Sequence, residues 1–211
     1  MAAILVTDPV TPDGAVIDRG VDILRAGGII AYPTETLYGL AADAGNERAI
    51  ERIFTIKGRD FHNPIPLIIG DRESLAPLVS EIPGRAVGLM DAFWPGPLTL
   101  IFHTAENLSP RLTAGTGTIG IRLSSHAIAR SLAHGLGGAI TATSANLSGE
   151  GGMASPERVL AVLGDRIDAL IDGGTTPGGP GSTILDVTCD PPVVLREGNV
   201  SSSAIFRLFP L

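Results

Sequence analysis

Residues 29–36 read Ile29-Ile30-Ala31-Tyr32-Pro33-Thr34-Glu35-Thr36, an apolar strand that stops at a proline and runs into a polar cluster. Upstream, Ile17, Val21 and Leu24 recur at i, i+4 and i+7, the spacing of one helix face, and Gly27-Gly28 ends that helix. Downstream, Asn46 is a favoured N-cap for a helix that carries Ile50, Ile53 and Phe54 on one face and stops at Gly58. The alternation continues, with strands at 67–69 and 98–102, through Ile121 and Arg122, at 139–142, around Leu170, and at 184–187 and 193–195. Helices fall around 75–79 and 86–93, through Ile128, Leu132 and Leu136, after the Ser155-Pro156 cap, and near 205–208. This order predicts a single α/β or α+β domain, residues 1–211, on a twisted mixed sheet flanked by helices.

Bulk composition narrows the function classes. The chain has 211 residues, 44% hydrophobic and 18% charged, with a mean hydropathy of +0.31. No run of about 18 apolar residues exists to span a membrane, and Asp8 interrupts the N-terminal apolar run before a secretory signal could form. A cytoplasmic protein is expected. The net charge of −7 argues against a general polyanion binder, since non-specific nucleic-acid binding rests on Lys and Arg neutralising phosphates. One cysteine, Cys189, rules out an internal disulfide and a thiolate zinc cluster. The histidines show no metal-binding spacing, and His126 and His134 read as surface residues of one helix.

Of fifteen basic residues only Lys57 is lysine, in the triplet Lys57-Gly58-Arg59 at a helix end. Lysine is a compact point charge and arginine a rigid fork, so they are not interchangeable at a confined site. Further polar clusters follow predicted strands, where α/β sheets expose their ligands: Thr116-Gly117-Thr118 before Arg122, Thr143-Ser144-Ala145-Asn146, Gly181-Ser182-Thr183, and Arg196. Together they offer cations, hydroxyls and backbone amides without a nucleophile and base pair. That inventory suits positioning and charge stabilisation of a phosphorylated substrate. Gly115 to Gly120 matches GxGxxG, but it leads into a strand instead of from a strand into a helix, so it fails as a dinucleotide fingerprint. Taken singly, Arg122 also fits an ion pair at the edge of the core, and Ser144 with Asn146 fits plain turn chemistry.

Taken in order, Pro33-Thr34-Glu35-Thr36-Leu37-Tyr38-Gly39-Leu40, Lys57-x-Arg59 with Asn63-Pro64, Trp94-Pro95-Gly96-Pro97-Leu98-Thr99, Ile121-Arg122 and Ser144-Ala145-Asn146 closely resemble the YrdC-like family of threonylcarbamoyl-AMP synthases. The resemblance runs over about residues 15–198, with 199–211 as a C-terminal helix and tail, and it is to the short, single-domain form. It implies a cavity lined by positive charge. It also implies a reaction in which L-threonine, bicarbonate and ATP give L-threonylcarbamoyladenylate and diphosphate, supplying N6-threonylcarbamoyladenosine next to the tRNA anticodon.

By the same resemblance Lys57 and Arg59 are the catalytic residues and hold the phosphates, with Asn63, Thr118, Ser144, Asn146 and Arg196 around the nucleotide. Thr36, Arg122, Ala142, Thr143 and Ser182 would hold threonine, Arg122 as the fork for its carboxylate. Mg²⁺ is expected to arrive with ATP, because no carboxylate cluster announces a metal site held by the protein. The partner implied is a downstream tRNA threonylcarbamoyl transferase; no membrane and at most weak direct tRNA binding are expected. One departure stands out, since many members carry a histidine where this chain has Ile68 and Ile69. Two other classes share the fold by resemblance, an RNA-binding module and a carbamoyl-transfer domain of the hydrogenase-maturation type. The acidic charge argues against the first, and the missing acylphosphatase and cysteine-rich zinc segments against the second.

Overall fold

The computed structural model describes residues 1–106 and 108–208. Strand β1 (Ala3–Val6) leads to α1 (Gly14–Arg25), whose first turn is capped by the Asp13 carboxylate accepting from the Ala15 amide. Gly27, at φ 81°, turns the chain into β2 (Ile30–Pro33), a conformation that costs little only without a Cβ. β3 (Tyr38–Ala41) folds back antiparallel on β2. Next comes α2 (Glu47–Lys57), opened by the Asn46 side chain on the Ala49 amide and closed by Gly58 in the left-handed region. β4 (Leu67–Ile69), a 3₁₀ turn at Glu73–Leu78, α3 (Gly84–Phe93) and β5 (Leu98–His103) follow. The middle of the chain holds α4 (Pro110–Thr113), β6 (Thr118–Leu123), α5 (Ala127–Leu136), β7 (Ala139–Thr141) and β8 (Thr143–Ser144). Last come α6 (Pro156–Leu163), β9 (Ala169–Asp172), β10 (Thr183–Asp186), β11 (Val193–Arg196) and α7 (Ser202–Leu208).

The strands form two mixed sheets, in the orders β1-β9-β2-β3-β8 and β11-β10-β5-β6-β4-β7. They meet where β7, in the second sheet, passes through Ala142 into β8, in the first. Thr141 stitches the junction. Its amide donates to the Ala42 carbonyl at 3.0 Å, and its hydroxyl accepts from the Ala42 amide and donates to the Leu40 carbonyl. The buried Tyr32 hydroxyl donates to the Thr141 carbonyl at 3.0 Å from the other side.

Two helices, α1 and α5, cover one apolar face built from Ile17, Val21, Leu24, Ile30, Ile68, Leu132, Ile140 and Ile171. They approach closely because Gly20 and Gly135 lack side chains; a Cβ on Gly20 would lie 2.8 Å from Leu132 Cδ2. Each fully buried Leu or Ile contributes about 1.5–3 kcal/mol, and a larger cluster around Phe54, Leu67, Leu100, Phe102 and Ile121 also takes in Ala31, Leu40 and Leu170 of the first sheet. None of the described helices is long and apolar enough to cross a membrane.

The alternation read from the sequence holds, and its mixed sheet resolves into two. Strands β1, β3 and β8 and helix α4 were not anticipated. Tyr38 to Ala41 is buried at every position, so it carries no alternation, and β8 has only two residues. Pro33 ends β2 as its last residue, as the sequence implies, and is tolerated there because the neighbouring β9 pairs with only Ile30 and Ala31, so the missing amide breaks no ladder bond on that side. His126 is not a surface helix residue: it precedes α5 as its cap, and its Nδ1 is buried without a hydrogen-bond partner. Residues 209–211 of the expected tail lie outside the described residues.

Candidate active site

The junction of the two sheets opens a cavity of about 480 Å³, within the usual range for small-molecule sites. Both sheets supply its wall. From the first come Thr34 and Thr36 beyond β2, Tyr38 and Gly39 on β3, and Thr143 and Ser144 on β8; from the second come Arg122 on β6, Ile184 on β10 and Arg196 on β11. Arg59, Pro64 and Pro66 close one side, and Gly179 to Ser182 another.

Three guanidinium groups converge there. Arg59 is tied to its own loop, its Nη2 donating to the Pro64 carbonyl at 3.0 Å. Arg196 grips Ser182, with Nε and Nη2 donating to the Ser182 carbonyl at 3.1 and 2.8 Å and Nη2 to the hydroxyl at 3.2 Å. The Ser182 hydroxyl also meets Thr99 Oγ1 at 3.0 Å. Burial draws the Arg59 and Arg196 groups below their ordinary range, Arg196 further because Arg122 lies near it. Arg122 differs: its Nη1 stands 3.1 Å from the Glu35 carboxylate, and both side chains are almost wholly buried. The pair is off the hydrogen-bonding direction, so Glu35 Oε1 and Arg122 Nη1 lack hydrogen-bond partners. The other Glu35 oxygen accepts from the Ser124 hydroxyl.

Lys57 is 3% exposed and absent from the cavity wall, one layer behind it. Its ammonium donates to the Ser144 carbonyl at 2.5 Å, the Asn146 carbonyl at 2.8 Å and Asn146 Oδ1 at 3.0 Å. All three N–H groups are spent on protein. Burial, and then Arg59, pushes its pKa down to about 8. Asn146 extends the chain of bonds, its Nδ2 donating to the carbonyls of Leu147 at 2.9 Å and Glu150 at 2.5 Å. Lys57 thus secures the segment that carries Ser144 and Glu150 into the wall.

Of the residues singled out in the sequence, Thr36, Arg59, Arg122, Ala142, Thr143, Ser144, Ser182 and Arg196 line the cavity. Lys57 and Asn146 support it from behind. Asn63 is exposed in the loop that Arg59 closes, and Thr118 opens β6 with its hydroxyl 3.0 Å from Thr116 Oγ1; neither is on the wall. Ile68 and Ile69 are fully buried core residues. Sequence reasoning missed Glu35, although it stood inside a quoted motif; a lone carboxylate among hydroxyls, in a chain with an arginine on an apolar strand, was the available signal. It also missed Glu150, the one carboxylate on the wall among the described residues.

The Sua5/YciO/YrdC family model, described as telomere recombination, matches residues 22–198. The chain belongs to this family. It is 41% identical over 95% of its length to the Threonylcarbamoyl-AMP synthase of Bacillus subtilis, of which it spans 58%. A crystal structure of Pyrococcus abyssi Sua5 complexed with L-threonine superposes with a TM-score of 0.95 at 37% identity, covering 99% of this chain and 61% of that one. Escherichia coli YciO superposes with a TM-score of 0.89 at 31% identity over 98% of this Sua5/YciO/YrdC chain and 100% of its own. The chain therefore spans somewhat over half the length of the first two relatives and the full length of the third.

Proposed function

We propose that this chain is a threonylcarbamoyl-AMP synthase, converting L-threonine, bicarbonate and ATP to L-threonylcarbamoyladenylate and diphosphate. The observation that carries the reading is the convergence of Arg59, Arg122 and Arg196 with the hydroxyls of Thr36, Thr143, Ser144 and Ser182 in one cavity. The threonine complex of the Pyrococcus abyssi relative supports it. The threonine amine condenses with bicarbonate, losing water, to give a carbamate. A carbamate oxygen then attacks the α-phosphorus of ATP, and pyrophosphate leaves with the bridging oxygen's electrons. Two anions must meet in that step, so fixed cations lower its barrier more than a nucleophile or base would.

Arg122 receives the threonine carboxylate, with Thr36, Thr143, Ser182 and the Ala142 backbone around the rest of the amino acid. Arg59, Arg196 and Ser144 face the phosphates, and Lys57 and Asn146 act on the nucleotide side by fixing the Ser144 segment. Asn63 and Thr118, outside the wall, come to the nucleotide only if their loops shift. Among the described residues no cluster of three or more metal-binding side chains exists, and the wall offers one carboxylate, Glu150. That donor set fits Mg²⁺ carried by the triphosphate and water. The product is the activated form a tRNA threonylcarbamoyl transferase would consume. Pyrophosphate release, with the adenylate identified by mass spectrometry, should require threonine and bicarbonate together. Equal release with either one omitted would reject the reaction.

A further inference from the structure

Three arginines line one cavity, yet they differ in charge balance. Arg122 has the buried Glu35 carboxylate 3.1 Å away. Among the described residues neither Arg59 nor Arg196 has a carboxylate within 4.0 Å, and Glu150, the carboxylate on the wall, pairs with no cation. Burial draws both unpaired guanidinium groups below their ordinary range, Arg196 also through the nearby Arg122, and both stay charged. The two proposed ligands are unequal in the same sense. Pyrophosphate and triphosphate carry several negative charges, while the threonine carboxylate carries one beside an ammonium or amine. An uncompensated Arg122 would attract the polyphosphate more strongly than the carboxylate, since attraction grows with ligand charge.

Resting on the function proposed above, we propose that Glu35 is a specificity-determining residue. By pairing with Arg122 it makes one end of the cavity nearly neutral, so that this end takes threonine and leaves polyphosphate to Arg59 and Arg196. Glu35 is not on the cavity wall, although Thr34, Thr36 and Arg122 are, and its side chain is 12% exposed. It acts through Arg122, offsetting its charge and repelling any polyanion that approaches, which is discrimination by an added repulsive element. The Ser124 hydroxyl on the far oxygen fixes the carboxylate in that place.

Calorimetric titration of L-threonine with and without saturating pyrophosphate tests this. In the wild type the two should bind together, with threonine affinity changed by less than about twofold. In Glu35→Gln pyrophosphate should become a competitor, raising the apparent threonine Kd by at least about tenfold. Glu35→Asp keeps the charge and should behave as wild type, and the double variant Glu35→Gln/Arg122→Gln, although weaker for threonine, should lose the competition, because no bare cation remains at the threonine end. Circular dichroism establishes that each variant is folded. Should Glu35→Gln not fold, the wild-type titration decides alone: pyrophosphate displacing threonine from the wild type overturns the proposal. So does a folded Glu35→Gln in which pyrophosphate still fails to compete. A wild type that binds no threonine at all rejects the proposed function instead, and is told apart by that result.

Discussion

Replacing Lys57 with arginine keeps the charge and should nonetheless unsettle the fold. The ammonium is 3% exposed and sits at 2.5, 2.8 and 3.0 Å from three oxygens that converge on one nitrogen. A planar guanidinium spreads its N–H groups in one plane and cannot serve three acceptors gathered around a point. At least one oxygen loses its donor, at about 1–3 kcal/mol, and the wider head adds about 1–3 kcal/mol of overpacking. Taking the low end of each gives a loss of about 2 kcal/mol, which in a chain of this size lowers Tm by about 4–8 °C. Adenylate formation should fall at least about tenfold with it, a barrier rise near 1.4 kcal/mol, because the Ser144 to Glu150 segment loses its anchor. Calorimetric melting beside steady-state adenylate formation measures both. A Lys57→Arg protein that melts within about 1 °C of the parent would refute the reasoning.

Arg122→Ala should weaken threonine by about ten- to a hundredfold, the value of one charged hydrogen bond, with ATP much less affected; equal losses by calorimetry would remove its role. Because Lys57 is the sole lysine, protein labelled with ¹⁵N-lysine should give one side-chain signal titrating near pH 8, and a midpoint above 10 would contradict the burial described. The sign follows from linkage: the folded pKa, about 8, lies below the ordinary 10.5, so the unfolded chain holds the proton longer and this group's contribution to stability rises with pH across that window. Gly198→Ala should lower Tm and threonine affinity together, since its Cβ would lie 2.4 Å from the Gly181 carbonyl oxygen and 2.6 Å from the Thr183 amide, backbone that cannot yield without moving Ser182. Overpacking of this kind costs about 1–3 kcal/mol, so an unchanged melting curve would show that the loop is free to shift.

The elements with their own punctuation were legible in the sequence. Asn46 and Gly58 bracket α2 as capping chemistry requires, and Ser155 opens α6 by accepting from the Arg158 amide. β3 was illegible because a strand buried on both faces carries no period, and Ala142 gave no sign that a strand changes sheets there. At the site, most of the residues singled out line one cavity, but the depth of Lys57 was not legible. A lysine ending an amphipathic helix reads as a surface group, and only its tertiary acceptors, from 87 and 89 residues further along, bury it. Glu35 was hidden for the same reason: its partner Arg122 lies on another sheet, and no local spacing brings them together.

The burial of Lys57 bears on a hazard the proposed product would create. A carbamoyl phosphate anhydride is an electrophile that carbamoylates free primary amines, and an enzyme that makes one exposes itself to it at every turnover. Here the other fourteen basic side chains are arginines, poor nucleophiles, and the single side-chain amine stands behind the cavity wall with its three protons held by carbonyl oxygens. A lone pair appears on that nitrogen only after a proton is lost and a bond to the wall is given up. On the proposed function its one side-chain amine would thereby be shielded from the intermediate, and a mass increment on Lys57 after prolonged turnover would record how often the wall opens.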